Sequence, residues 1–152
     1  MNKTFIKAKR ALFLSFFMML IVSCETAIQA PYVISHLECS IVDEDDLFTF
    51  AGVLFAFTNT SSKTIISMEI HFNVFDSKTK KSPFIANNHI VSILNQNIEP
   101  TEAASICISL DEYMHYAPEQ AYSIDQFYIT KIAYEDGSSW SDDFGVFALS
   151  KM

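Results

Sequence analysis

Leu47 to Asp76, LFTFAGVLFAFTNTSSKTIISMEIHFNVFD, decides the fold. In its second half Ile66, Met68, Ile70, Phe72 and Val74 alternate with Ser67, Glu69, His71 and Asn73. A period of two over that length marks a strand with one buried and one wet face, whereas a helix would scatter those apolar side chains around its circumference. A slip of one residue would turn all of them to water, so this strand sets the register of its sheet. Leu47 to Asn59 reads as a partner strand, apolar on both faces, either a central strand covered on both sides or one bulged so that its faces exchange, with Gly52 the candidate bulge position. Asn59-Thr60-Ser61-Ser62-Lys63 reads as the turn between them, because such short side chains hydrogen-bond their own backbone.

Working outward, Tyr32 to Val42 reads as a first strand. It ends at Asp43-Glu44-Asp45-Asp46, four carboxylates that belong in a solvated turn and lack the spacing of a calcium loop. Ser77 to Pro83 is a basic, solvated loop. Further strands are expected at Asn88 to Leu94, at Ala104 to Leu110, at Phe127 to Tyr134, from Ser138 to Trp140 and at Gly145 to Leu149. Asp111 to Tyr122 has room for a turn or two of helix before Pro118 blocks continuation. About seven short strands separated by turns predict an all-β protein, an immunoglobulin-like antiparallel β-sandwich, with a small closed barrel as the competing architecture.

The chain has 152 residues, half of them hydrophobic, which suits one domain with a core. Residues 1–23 read as a signal-peptide helix: Lys3, Lys7, Lys9 and Arg10 precede an apolar run from Ala11 to Val22 that is short for a membrane span. The run ends in Ile21-Val22-Ser23-Cys24, which resembles the lipobox of bacterial lipoproteins. The resemblance implies diacylation of Cys24, cleavage before it, and palmitate-like chains holding the protein to a bilayer. Residues 24–31 then form the lipidated cysteine and a short tether, and residues 32–152 the β-sandwich domain. The implied location is the bacterial cell envelope, lipid-anchored, on its periplasmic or its surface face.

Removing the signal lowers the ten cations to six against eighteen acids, a mature net charge of −12 with no arginine. Nucleic acid recognition needs cations to displace counterions from phosphates, so that class is set aside; the acidity reads first as a solvated surface, with cationic partners as the lesser alternative.

A second resemblance lies in the deciding stretch. Phe72-Asn73-Val74-Phe75-Asp76, following the Asn59 turn, with Ile98-Glu99-Pro100-Thr101-Glu102 further on, is similar to the FxLYD type of extracytoplasmic β-sandwich module. Ile129 to Gly137 is similar to the closing hairpin of related lipoprotein domains. The resemblance implies a sandwich outside the cytoplasm, of unknown or binding function, and names no activity.

Chemistry-bearing residues are few. Cys39 and Cys107 are a candidate disulfide that would close a loop of about 70 residues, worth about 4 kcal/mol in the chain-entropy model. Against the bond, Cys107 alternates with Ser105 and Ser109 and should point outward, while Cys39 shares a face with Leu37 and Ile41. His36, His71, His89 and His115 lie on separate elements, and only Glu69 and His71 share a strand face, where solvation is the ordinary outcome. No nucleophile elbow, phosphate loop or C-x-x-C occurs. The expectation is therefore no enzyme, no cofactor and no metal. Tyr113, Tyr116, Tyr122, Tyr128, Tyr134 and Trp140 combine flat apolar faces with polar tips; some must be core or corner residues, and a subset of them is the candidate binding patch, against ordinary packing. The favoured function is a membrane-anchored, non-catalytic binding or structural module with a protein or glycan partner. The alternatives are an envelope enzyme or enzyme inhibitor with a site composed across loops, and an accessory subunit of an envelope complex.

Overall fold

The computed structural model describes residues 29–42, 45–85 and 87–149. Among the described residues seven strands form: β1 (Tyr32–Ser40), β2 (Gly52–Asn59), β3 (Ile65–Phe75), β4 (His89–Leu94), β5 (Ala103–Ser109), β6 (Ser123–Tyr134) and β7 (Ser139–Ser141). A single 3-10 turn, Asp111–Tyr113, is the helical element among the described residues. The strands pair antiparallel into two sheets, ordered β1-β2-β5 and β4-β3-β6-β7. In immunoglobulin lettering, β1, β2 and β5 stand at A, B and E, and β3, β6 and β7 at C, F and G. The strand between C and E pairs with C here, which makes the sandwich three strands against four.

The alternation in the sequence explains why the sheets close on one another. Met68, Ile70, Phe72 and Val74 of β3 are all buried, as are Val53, Phe55 and Phe57 of β2. Phe127 of β6 sits between the layers, 5.0 Å edge-on from Phe55 and 5.5 Å stacked on Phe72. Each fully buried side chain of this size contributes about 1.5–3 kcal/mol, so the stretch from β2 to β3 supplies much of the drive to fold.

Three expectations are corrected. Ile66 is not on the core face: it is 38% exposed. Ile65 pairs with Tyr134 and Ser67 with Ala133, so Ile66 is an extra residue that bulges out of the ladder. The bulge shifts the phase of the strand and buries Ile65 in place of Ile66. Gly52 is not a bulge: it is the terminal pair of both β2 ladders, matched one to one with Ser40 and Ser109 and in step with Val53 beside it. It is required for closeness: a Cβ there would lie 2.7 Å from Phe48 Cε1 and 3.0 Å from Cys107 Sγ. Lastly, Leu47 to Ala51 does not extend β2. Thr49 and Phe50 donate their amides to the Asp111 carboxylate at 2.6 and 2.8 Å, which draws this segment toward the end of β5.

At the other end, β6 starts at Ser123, earlier than the apolar pattern suggests. Gly145 to Leu149 makes only a bridge from Leu149 to Phe127. Asp142, buried, holds that segment by accepting from the amides of Val146 and Phe147 at 2.8 and 3.0 Å. The described part of the expected tether already meets the domain, for Ala30 packs on the core and the Pro31 carbonyl accepts from the Thr60 amide at 2.9 Å.

Candidate functional site

Since Met68, Ile70 and Phe72 face the core, Glu69, His71 and Asn73 face out, and neighbouring strands bring partners to them. The β3–β4 register sets Asn73 opposite His89 and His71 opposite Val91. The β3–β6 register sets His71 opposite Tyr128, and irregularities in β6 place Gln126 and Thr130 beside the same row. Gln126 is in the left-handed region at φ 49°, as an extra residue in a bulge can be.

The result is a continuous line of side chains across the outer face of the four-stranded sheet. Thr130 Oγ1 donates to Glu69 Oε1 at 3.1 Å, and Glu69 Oε1 pairs with His71 Nε2 at 2.8 Å. His71 Nδ1 faces His89 Nε2 at 3.2 Å, His89 Nδ1 meets Asn73 Oδ1 at 3.0 Å, and Asn73 Nδ2 donates to Gln126 Oε1 at 3.0 Å. The two imidazoles stand at 66° with centroids 5.1 Å apart, and Tyr128 lies 5.6 Å from His71. The His71 hydrogen bond holds the Glu69 carboxyl below the usual range. Burial, then the neighbouring His71, hold His89 below the ordinary imidazole value. Sequence reading placed these histidines on separate elements; the loop 76–88 between β3 and β4 hides the register that joins them.

The outer face of the other sheet carries a groove of about 410 Å³. Leu54 and Ala56 of β2 lie along it, with Leu47, Glu38, His36 and Ser105 among the residues that line it. His36 stands in the left-handed region at φ 55°, inside the irregularity between Ser35 and Glu38 of β1. Cys107 lines this groove, pairing with Leu54, whereas Cys39 pairs with Val53 on the core side. The structure therefore does not bring the candidate disulfide together. Both residues are thiols, on opposite faces of the sheet with β2 between them, about two strand spacings apart where a disulfide needs Cα atoms within about 7 Å. Burial raises the Cys39 thiol above its ordinary value, against a hydrogen bond from the Tyr122 backbone.

The six aromatic residues do not form one patch. Tyr134 is buried, with Lys63 Nζ 5.5 Å from its ring centre, and Trp140 packs edge-on against Tyr32 at 5.6 Å. Tyr128 belongs to the histidine face, under Gly145. Tyr113 and Tyr122 gather around Phe84 at 5.5 and 6.0 Å, and Tyr116, 78% exposed, lines a hollow with Tyr122 and Pro118. The six thus divide into residues packed on the core, a histidine neighbour and a small aromatic cluster around Phe84. The expected signal peptide, the lipobox-like residues 21–24 and with them Cys24 lie outside the described residues, as do Asp43 and Glu44 of the acidic run.

No family model matches the sequence, and no curated protein matches it. Among solved structures, the chain is similar to a hypothetical protein from Peptoclostridium difficile 630, with a TM-score of 0.55, covering 75% of this chain and 87% of that one at 12% identity. At that identity the likeness is one of fold: a β-rich domain shared with a protein of unknown function.

Proposed function

We propose that this protein is a non-catalytic binding module of a bacterial cell envelope, held to a bilayer through acyl chains on Cys24, of the FxLYD-like kind, and that it takes a positively charged segment of a partner protein. The observation that carries the reading is the groove on the three-stranded sheet. Its volume of about 410 Å³ is within the usual range for a ligand site, roughly 300–1,000 Å³. Leu54, Ala56 and Leu47 supply apolar surface to bury, and Glu38 and Asp45 line it with negative charge. The acidity of the mature chain extends the same preference to long range, which favours encounter with cations. A protein segment with lysines fits this lining better than a neutral glycan does.

The N-terminal sequence supports the anchor. Each buried methylene contributes about 0.8 kcal/mol, and several chains together hold stably where one is marginal. Photo-crosslinking in native cells tests the reading, with benzoylphenylalanine at Ser105 in the groove and at Ser67 on the opposite sheet. A protein adduct at Ser105 alone, lost at high salt and weakened by Glu38→Gln, is the expected result. Equal adducts at both positions, or insensitivity to salt and to E38Q, overturns it. Radiolabelled palmitate should enter the wild type and not C24A; equal labelling removes the anchor.

A further inference from the structure

The histidine line, taken with both rings neutral, sets a hydrogen-bond conflict that an added cation resolves. Glu69 is an acceptor, so His71 Nε2 carries a hydrogen and donates to it. Asn73 spends its amide nitrogen on Gln126, which turns its carbonyl oxygen to His89, so His89 Nδ1 also donates. A neutral imidazole has one N–H, so the two remaining nitrogens, His71 Nδ1 and His89 Nε2, are both lone pairs, facing each other at 3.2 Å. Two lone pairs at that separation repel. A cation removes the conflict: a proton on one ring makes the contact an N–H···N hydrogen bond, and a metal ion shared by both rings uses the two lone pairs together.

The geometry points to a site for a divalent late first-row metal ion, Ni²⁺, Cu²⁺ or Zn²⁺, bound by His71 Nδ1 and His89 Nε2. Metal–imidazole bonds of about 2.0–2.1 Å put two ligand nitrogens about 2.9 Å apart at a right angle and about 3.4 Å apart at the tetrahedral angle. The observed 3.2 Å falls between them. Imidazole pairs suit these ions. The surroundings have the form that metal-binding histidines usually show, in which the second ring nitrogen donates to a carboxylate or a carbonyl and so fixes tautomer and ring angle. Glu69 does this for His71 and Asn73 for His89, while Thr130 and Gln126 hold those two in turn. Glu69 and Asn73 are positioning residues; they point their acceptors at the far nitrogens, away from the ion. Among the described residues no group of three or more His, Cys, Asp or Glu is placed to hold a metal, so water completes the coordination. The His71 side chain, 19% exposed, leaves the ion a path from solvent.

Isothermal titration of the full chain in detergent with Ni²⁺, and separately with Zn²⁺, tests this. One equivalent should bind, at least tenfold more weakly in His71→Gln and in His89→Gln, and about tenfold more weakly in Glu69→Gln, the low end of the cost of losing such a partner. His36→Gln and His115→Gln should bind as the wild type does. A measurement on the unmutated protein guards against variants that misfold: Zn²⁺ should shift the ¹⁵N resonances of His71 Nδ1 and His89 Nε2 and leave their partner nitrogens protonated. No saturable binding up to millimolar ion, wild-type affinity in the H71Q/H89Q double variant, or ¹⁵N shifts confined to other histidines overturns the proposal.

Discussion

Asn59 Nδ2 lies 3.0 Å from the backbone carbonyl of Ile98, a residue 39 positions further along the chain. The same amide donates to the carbonyls of Lys63 and Glu99 at 2.9 and 3.1 Å, and Asn59 Oδ1 accepts from the Ser61 amide and hydroxyl. Fully buried, one side chain closes the β2–β3 turn and fastens the segment before β5 to it. The Asn59 turn and the Ile98–Glu102 stretch are thus in contact, and their joint role is structural.

Asn59→Ala should lower stability by about 3 kcal/mol, because it removes the hydrogen bonds of a fully buried amide to three carbonyls, each worth roughly 0.5–1.5 kcal/mol net. Asn59→Asp should be comparably harmful, since a carboxylate cannot donate to them. Urea unfolding is the check: the midpoint should fall with the slope unchanged. A loss under about 0.5 kcal/mol for N59A would falsify the buried-hub reading.

The bulge at Ile66 makes two adjacent isoleucines unequal. Ile65→Ala should cost about 2–5 kcal/mol as a core truncation, while Ile66→Thr should stay within about 0.5 kcal/mol as a surface change. Thermal or urea unfolding of the pair decides it, and the reverse ranking would put β3 in the other register.

Gly52 and Phe48 should behave as a coupled pair. Gly52→Ala pushes a methyl into the Phe48 ring, and overpacking of this sort costs about 1–3 kcal/mol. Phe48→Ala in the same chain should recover part of that loss. A double-mutant cycle measures the coupling, and strictly additive effects would show that the ring does not cause the restriction.

Acid should loosen the segment before β2. Burial works to raise the Asp111 carboxyl, but hydrogen bonds from the Thr49 and Phe50 amides outweigh it and hold the group below the usual carboxylate range. A lowered folded-state pKa stabilises above the unfolded value, about 3.9, and that stabilisation disappears as pH falls through the folded value. Hydrogen exchange should find the Thr49 and Phe50 amides protected near neutral pH and unprotected in Asp111→Asn. The stability gap between wild type and D111N should narrow below about pH 4; a gap that widens there contradicts the assignment.

The thiols offer a simpler check. Mass spectrometry of the folded chain should show no difference between Cys39 and Cys107 with and without reductant. Cys39, whose thiol is raised by burial, should alkylate more slowly in the folded chain than in urea. A mass lower by two hydrogens in the unreduced protein would mean that the sheet separates enough to join them.

What could be read from sequence alone was what depends on near neighbours. Side-chain alternation is a property of consecutive residues, so Met68, Ile70, Phe72 and Val74 announced a half-buried strand, and turn-forming side chains at Asn59 to Lys63 announced where it began. What tertiary structure alone decided was pairing across distance. His71 and His89 became neighbours only when β4 docked on β3 in one register. Cys39 and Cys107 were separated by the β2 strand that lies between theirs, and Ile66 was displaced by a bulge that shows only against β6. Register is settled by the simultaneous burial of both sheets' inner faces, a sum over the whole core that no local window of residues contains.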